Sequence, residues 1–522
     1  MTREGMIEKI ENQKGRWDFI IIGGGATGVG TAIEAASRGY KTLLLEQSDF
    51  AKGTSSRSTK LVHGGVRYLQ QGNLSLVLEA LKERGLLRKN APHLVHDLPF
   101  IVPNYDWWEG PFYGIGLKLY DILAGKEGFG SSQLLSKEET IKHLPTIETN
   151  GLRGGVIYYD GQFDDARLTI NMVQTAYEQG AVLLNYFKVV SIIKDGETIA
   201  GIETIDIESG KKYSIAAKAV INATGVFSDT IRRMDDNNSS NIIVSSQGTH
   251  IVLNRSFLPG RSAIMVPHTD DGRVLFAIPW HSRIIVGTTE TPVDEFALDP
   301  VPQENEIEFL LKHTAKYFTK DPVRSDILSV FSGLRPLVKS GNEENTAAIS
   351  RDHTIYISRS GLVTITGGKW TTYRKMAEDT IDHAYIVAQL DYQKSVSAEL
   401  QIHGYHKHAD ELGNLEIYGS DATLIEEMIQ KEKSYKEVLY PNFSTVVGEV
   451  IWAVRNEMAR TVEDFLSRRT RILLMDAKAA IEIAPKVAEI MAKELKRDKN
   501  WITNQINEFN KLAKTYLVNY LS

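Results

Sequence analysis

The chain has 522 residues, Lys+Arg 60 against Asp+Glu 66, a formal net charge of −6, 42% hydrophobic residues and no cysteine. That length suits two or three domains, and the apolar fraction excludes a disordered chain. The mild acidity argues against a nucleic-acid binder, and the lack of cysteine excludes disulfides, thiolate metal sites and thiol nucleophiles. It also fits a reducing compartment.

Met1 to Arg16 is polar and charged, with no apolar signal-peptide core. No apolar run of about 18 residues predicts a transmembrane helix. Trp17 to Ile22 reads as a buried parallel strand, followed at once by Gly23-Gly24-Gly25-Ala26-Thr27-Gly28. Val29 to Ser37 is helix-compatible, and Lys41 to Glu46 reads as a second strand ending in an acid. Ile141 to Gly155 is loop-rich. Asp164-Asp165 looks like an N-cap for a helix over Ala166 to Gly180. Lys218 to Asn222 is a strand running into the turn Ala223-Thr224-Gly225. Ala263 to His268, Arg273 to Trp280 and Arg283 to Thr289 read as antiparallel strands, the first two flanking Asp270-Asp271-Gly272. Leu362 to Thr366 is a strand ending in Gly367-Gly368-Lys369, with a helix from about Thr371. After about residue 395 glycine thins out and helices are predicted, among them Val446 to Met458, Ala477 to Leu495 and Asp498 to Leu517.

Gly23, Gly25 and Gly28 form GxGxxG. The first glycine allows a tight turn, the second lets a pyrophosphate approach the backbone, and the third lets helix and strand pack closely. The helix N-terminus, with Ala26 and Thr27, would face the phosphates. Glu46 is placed to accept hydrogen bonds from both ribose hydroxyls of an adenosine. Strand, glycine turn, helix and terminal acid agree on a dinucleotide site, either FAD or NAD. Three features favour FAD: the site opens the chain, no second GxGxxG follows, and the turns at Gly225 and Gly367-Gly368 could surround an isoalloxazine.

The stretch Gly53 to Leu69 packs hydroxyls, three cations, His63 and the pair Gly64-Gly65 into one loop. It reads as a loop along the cofactor, because glycines beside a polar side chain permit close approach to a ligand. With Gly367-Gly368-Lys369-Trp370-Thr371-Thr372-Tyr373-Arg374-Lys375-Met376-Ala377, this stretch resembles the FAD-dependent glycerol-3-phosphate dehydrogenases. Phe163 to Leu168, Gly248 to Val252, Ser332 to Leu337 and Ile349 to Asp352 extend the resemblance, and Arg455 to Thr470 looks like that family's helical domain. One departure is Glu34, where the family usually has Asp.

The resemblance implies an FAD-binding Rossmann-like domain, an antiparallel β substrate domain of the D-amino-acid-oxidase type, and a C-terminal helical domain. The first two would interleave over 17–395, with substrate-domain parts roughly at 91–150 and 245–330, and the third would span 396–522. It implies oxidation of sn-glycerol 3-phosphate to dihydroxyacetone phosphate by hydride transfer to non-covalent FAD. Cofactor contacts are expected from Gly23, Gly25, Ala26, Thr27, Gly28, Glu46, Thr54, Ser55, Ser58, Lys60, Leu61, His63, Gly225, Gly368, Lys369 and Thr371. Arg67, Tyr68, His250, Arg335, Arg351 and Lys369 would surround the substrate, whose dianionic phosphate needs a cationic socket. His63, His250, Arg335 and Lys369 are the catalytic candidates, with His63 or His250 as the base for the C2 hydroxyl. No metal site is expected; His403, His406 and His408 read as loop.

Electrons would pass to membrane quinone, from a cytoplasmic protein held peripherally on the inner face of the cell membrane. The aromatic stretch Trp107 to Tyr120 is a candidate contact, though a core helix fits most of it. The alternative is a glycerophosphate oxidase that reduces oxygen to hydrogen peroxide. Those oxidases typically carry a long insertion after the Gly-Leu-Arg-Pro-Leu motif, and here only Val338 to Ala348 separates it from Ile349-Ser350-Arg351. An amine- or amino-acid-oxidising flavoenzyme would need fewer cations, and a tRNA-modifying flavoprotein would need a basic, aromatic-laced stretch. Whether the chain forms a homodimer is open.

Overall fold

The computed structural model describes residues 1–65, 73–106, 109–125, 128–267, 269, 272–339 and 352–520. Helix α1 (Arg3–Glu11) precedes β1 (Trp17–Ile22), α2 (Ala26–Ser37) and β2 (Thr42–Leu45). The four residues of β2 and Phe19 to Ile22 of β1 are all buried, as a parallel strand covered on both faces requires. Next come β3 (Leu61–Val62), α3 (Leu74–Asn90), β4 (Val95–Asn104), α4 (Glu109–Ala124), β5 (Gln133–Ser136), β6 (Gly154–Phe163) and α5 (Asp165–Glu178). Strands β7 (Val182–Leu184), β8 (Phe187–Asp195), β9 (Thr198–Asp206) and β10 (Lys212–Asn222) lead to β11 (Ile243–Asn254), β12 (Ala263–Val266), β13 (Leu275–Trp280), β14 (Arg283–Gly287) and β15 (Thr291–Val293). The chain continues through α6 (Glu304–Ala315), β16 (Ile327–Val338), β17 (His353–Ile357), β18 (Leu362–Gly367) and α7 (Tyr373–Val387) to α8 (Val447–Asn456), α9 (Ala477–Glu494) and α10 (Lys499–Lys514).

Two sheets carry the structure. The first runs β17-β18-β10-β1-β2-β7, with β8 and β9 extending β10. Its centre is parallel: β1 lies between β10 and β2, with Ile22 opposite both Asn222 and Leu45. Three strand ends, at Ile22, Asn222 and Gly367, therefore open toward the glycine turns that follow them. The second sheet runs β15-β11-β14-β13-β12-β4-β6-β3, with β16 on β11 and β5 on β6. It is mostly antiparallel and takes in β3, β6 and the end of β16, so it extends beyond the expected parts at 91–150 and 245–330. The reason is pairing over long sequence distances, such as Leu61 with Gln162 and Ser246 with Arg335. Helices α8, α9 and α10 share a separate core of residues such as Val450, Ile483, Val487 and Phe509, which packs against Val252, Ile285 and Phe331 of the second sheet.

Candidate active site

The turn after β1 depends on its glycines. Gly23 sits at φ +114°, and a Cβ there would lie 2.6 Å from the Ala223 carbonyl oxygen. At Gly28 a Cβ would lie 2.0 Å from the Gly23 carbonyl oxygen. Gly28 therefore seats α2 against β1 and is not itself on the cavity wall. Gly25 is the N-cap of α2 and offers no side chain, and the Ala26 N–H instead donates to Ser55 Oγ at 2.8 Å. Glu46 accepts from the Gly24 N–H at 2.6 Å and the Ser48 N–H at 2.8 Å. Loss of solvent pushes its carboxyl up against those donors, and each oxygen keeps a lone pair for a further donor.

A cavity of about 790 Å³ opens at this turn. Gly23, Gly25, Ala26, Thr27 and Glu46 line it, as do Thr54, Ser55, Ser58, Leu61, His63, Gly225, Gly368, Lys369 and Thr371. His250 and Arg335 face the same space. Nucleotide-turn residues and the cationic and imidazole candidates thus share one cavity between the two sheets. Arg67, Tyr68 and Arg351 lie outside the described residues, as do Trp107 and Trp108. Among the described residues no cluster of three His, Asp or Glu side chains is arranged to hold a metal ion.

Lys60 departs from its expected place. Its backbone takes φ +64°, and its fully buried ammonium donates to Asp165 at 2.7 Å and the Ser56 carbonyl at 2.8 Å. It supports the wall from behind and leaves the cavity face to its neighbours. Burial brings it down to about 7 despite the Asp165 carboxylate. Ser58 also donates its hydroxyl and its N–H to Asp165, and Thr54 donates to the Leu334 carbonyl. These two residues line the cavity while their hydroxyls brace the loop.

His250 stands on β11, buried, with its ring stacked on Phe331 at 4.9 Å between centroids. Its Nε2 lies 3.0 Å from Thr59 Oγ1, and its buried Nδ1 has no hydrogen-bond partner among the described residues. Burial, with Lys60 and Arg335 adding to it, holds the imidazole well below its ordinary value, so the ring is neutral at pH 7. Arg335 reaches from β16 to Thr288 Oγ1 at 3.0 Å and the Thr289 carbonyl at 3.1 Å. The gap that admits it is Gly248, where a Cβ would lie 2.3 Å from the guanidinium. Behind these threonines the buried Glu306 carboxylate accepts hydroxyls from Thr249, Thr289 and Thr291. Thr59, Asp160, Arg273, Phe276 and Thr288 also line the cavity and were not anticipated. Gly287-Thr288-Thr289 closes a strand much as Ala223-Thr224-Gly225 does, which was the available signal.

The C-terminal region braces the loop behind this wall. Arg468 Nε and Arg469 donate to Asp49 at 2.6 and 2.7 Å, and Arg471 donates to Asp165 at 2.9 Å and the Ser56 carbonyl at 2.7 Å. Burial raises the Asp49 carboxyl, but the two guanidinium groups outweigh it and hold it at about 2. Lys52 reaches Glu463 in the same way, at 2.7 Å. The loop from Asp49 to Lys60 is thus held between the nucleotide turn and this arginine cluster.

Residues 18–374 match the model of the FAD dependent oxidoreductase family, and 362–501 match the C-terminal domain of alpha-glycerophosphate oxidase. The mitochondrial glycerol-3-phosphate dehydrogenase of Rattus norvegicus is 40% identical over 535 residues, covering 96% of this chain and 73% of the relative. The chain belongs to the FAD-dependent glycerol-3-phosphate dehydrogenase family. The mitochondrial member from Schizosaccharomyces pombe is 37% identical, covering 94% of this chain and 86% of that protein. Among solved structures, the glycerol-3-phosphate dehydrogenase from Bacillus halodurans complexed with FAD aligns with a TM-score of 0.81 and 29% identity, over 99% of this chain and 97% of that one. The L-alpha-glycerophosphate oxidase from Mycoplasma pneumoniae, at TM-score 0.58 and 18% identity over 73% of this chain and 97% of that one, shares the fold. The cavity fits the cofactor of this dehydrogenase family. Its glycine turn leaves no room for side chains, Glu46 retains acceptor capacity, and the α2 N-terminus carries no cap from its own N-cap residue.

Proposed function

We propose that the chain oxidises sn-glycerol 3-phosphate to dihydroxyacetone phosphate and passes the electrons to a membrane quinone. The observation that carries this reading is the shared cavity: Arg335, Lys369, His63 and His250 face the space that the nucleotide turn opens. FAD, when bound, supplies the acceptor for the C2 hydride. Gly23, Gly25, Ala26 and Thr27 hold its pyrophosphate, Glu46 its ribose, and Gly225, Gly368 and Thr371 its ring system. The guanidinium of Arg335, oriented by Thr288 and Thr289, takes the substrate phosphate, with Lys369 adding charge. Arg67, Tyr68 and Arg351 join this socket by resemblance. His63 takes the C2 hydroxyl proton: the depressed basicity of His250 makes that ring a poor acceptor, and His63 stands half-buried on the wall.

Quinone use needs contact with a bilayer. Among the described residues no helix is long and apolar enough to cross one. On α4, however, Phe112, Ile115, Leu119 and Ile122 recur at helical spacing and are exposed, Ile115 to 74%. Leu74 and Leu78 of α3 are exposed too. An apolar stripe of this kind suits monotopic attachment, at the inner face of the cell membrane. Anaerobic reduction by glycerol 3-phosphate, followed by reoxidation with a short-chain quinone or with oxygen, tests both halves. Rapid reoxidation by quinone and slow reoxidation by oxygen is expected. Stoichiometric peroxide at full turnover, with no gain from quinone, would make the enzyme an oxidase.

A further inference from the structure

Beneath His63 lies a buried polar group that the reaction as described does not use. Arg84 of α3, Tyr120 of α4 and Asp160 of β6 are each 1–2% exposed. Arg84 donates to Asp160 at 2.6 Å, and the Tyr120 hydroxyl donates to the other Asp160 oxygen at 3.0 Å. The same hydroxyl oxygen accepts the Gly64 N–H at 2.8 Å. Burial holds the Tyr120 phenol well above its ordinary value, so it stays protonated and keeps both roles.

A buried Arg–Asp pair is costly to desolvate and is often replaceable by apolar side chains without loss of stability. Support for the α3–α4 pair alone would not require the last link, the one to the Gly64 amide. That amide belongs to the peptide plane joining His63 to Gly64, so whatever holds it restricts ψ of His63 and the direction of its Cβ. Contact is close: a Cβ on Gly64 would lie 2.4 Å from the Tyr120 hydroxyl and 2.4 Å from Leu81 Cδ2. Asp160 itself lines the cavity.

We propose that Tyr120, seated on Arg84 and Asp160, is a positioning residue that aims His63 at the substrate by holding the Gly64 amide. The inference rests on the reading of His63 as the base, and a double-mutant cycle separates the two. The rate of FAD reduction by glycerol 3-phosphate is measured anaerobically in the wild-type holoenzyme, His63→Asn, Tyr120→Phe and the double variant. FAD content and thermal midpoint are recorded for each. His63→Asn should slow reduction about 100-fold or more, as loss of a general base does. Tyr120→Phe should slow it by up to about tenfold, the value of one hydrogen bond, with FAD content retained. The double variant should be no slower than His63→Asn. A wild-type rate in Tyr120→Phe, or a double variant slower by the product of both losses, overturns the positioning role and leaves the His63 reading intact. A wild-type rate in His63→Asn overturns the His63 reading and the positioning role with it. Should Tyr120→Phe fail to load FAD, Asp160→Asn, which weakens the acceptor of the same hydroxyl, replaces it in the cycle with the same expectations.

Discussion

Arg335→Ala is the most direct test of the phosphate socket. The guanidinium donates to the hydroxyl of Thr288, the carbonyl of Thr289 and the hydroxyl of Ser246, and these bonds orient it at the cavity wall. Removing one partner of a charge pair with a desolvated phosphate dianion costs about 2–5 kcal/mol. That corresponds to a loss of about 30-fold to several thousand-fold in kcat/KM for glycerol 3-phosphate. Arg335→Lys keeps the charge and loses the fork, so its loss should be smaller but measurable. Slow oxidation of unphosphorylated glycerol should barely change. FAD content should stay at the wild-type level, because Arg335 touches the second sheet and not the nucleotide turn. Gly248→Ala offers a second route to the same lesion. Its Cβ would lie 2.3 Å from the guanidinium and would push that flexible end aside without altering charge. Steady-state kinetics with both substrates decide the matter. Full flavin with unchanged kcat/KM in Arg335→Ala would refute the assignment, and equal losses on glycerol and its phosphate would move Arg335 to the hydride-transfer step.

Gly28→Ala should abolish FAD loading, because its Cβ meets a backbone oxygen at 2.0 Å, whereas Gly116→Ala on α4, with nothing within 4 Å, should load normally. The flavin absorbance of the purified proteins shows both. Asp49→Asn removes the carboxylate that Arg468 and Arg469 share, while Arg468 keeps Glu463 and Asp464 and Arg469 keeps Glu457, and should destabilise the protein by about 1–3 kcal/mol. Thermal unfolding measures this, and an unchanged midpoint would refute it. His403 lies between Asp421 at 2.8 Å and Glu178; burial pushes it down, but the two carboxylates outweigh burial and raise it to about 9. The folded protein therefore holds this proton more tightly than the unfolded chain does. Its contribution to stability is full below about pH 6.5 and is lost as pH rises toward 9. His403→Gln should flatten the fall in thermal midpoint over that range, and an unaltered slope would exclude His403 as its source.

The parts of the fold that depend on neighbours in sequence were readable. β1, the glycine turn and β2 follow from short buried runs around a sterically demanding loop. The helix caps at Asp164 and Asp498 declare themselves because each accepts a backbone N–H three residues ahead. Other features depend on partners far away. The register of β11 on β16 joins Ser246 to Arg335 and decides where the Arg335 guanidinium points, yet neither strand's pattern names the other. Lys60 looked like a cofactor ligand because it sits among hydroxyls and cations. Its direction is set by Asp165, and the charge there is shared with Arg471. His403 was legible as a loop residue but not as the link between α5 and the C-terminal region, which needs Glu178 and Asp421 together. The exposed stripe on α4 was hidden in a stretch whose three glycines favour a core helix over an exposed one, whereas Phe112, Ile115, Leu119 and Ile122 face solvent.

The arginines at 468, 469 and 471 also bear on the order in which the protein can be made. A nascent chain that has reached residue 395 already contains both sheets and the glycine turn. Its Asp165 already has Lys60, but its Asp49 waits for the guanidinium groups of Arg468 and Arg469, more than 70 residues further along. Until those residues leave the ribosome, the loop from Asp49 to Lys60 lacks the arginine contacts that brace it from behind. A chain truncated at residue 395, lacking Arg468, Arg469 and Arg471, should therefore purify with less FAD than the full chain.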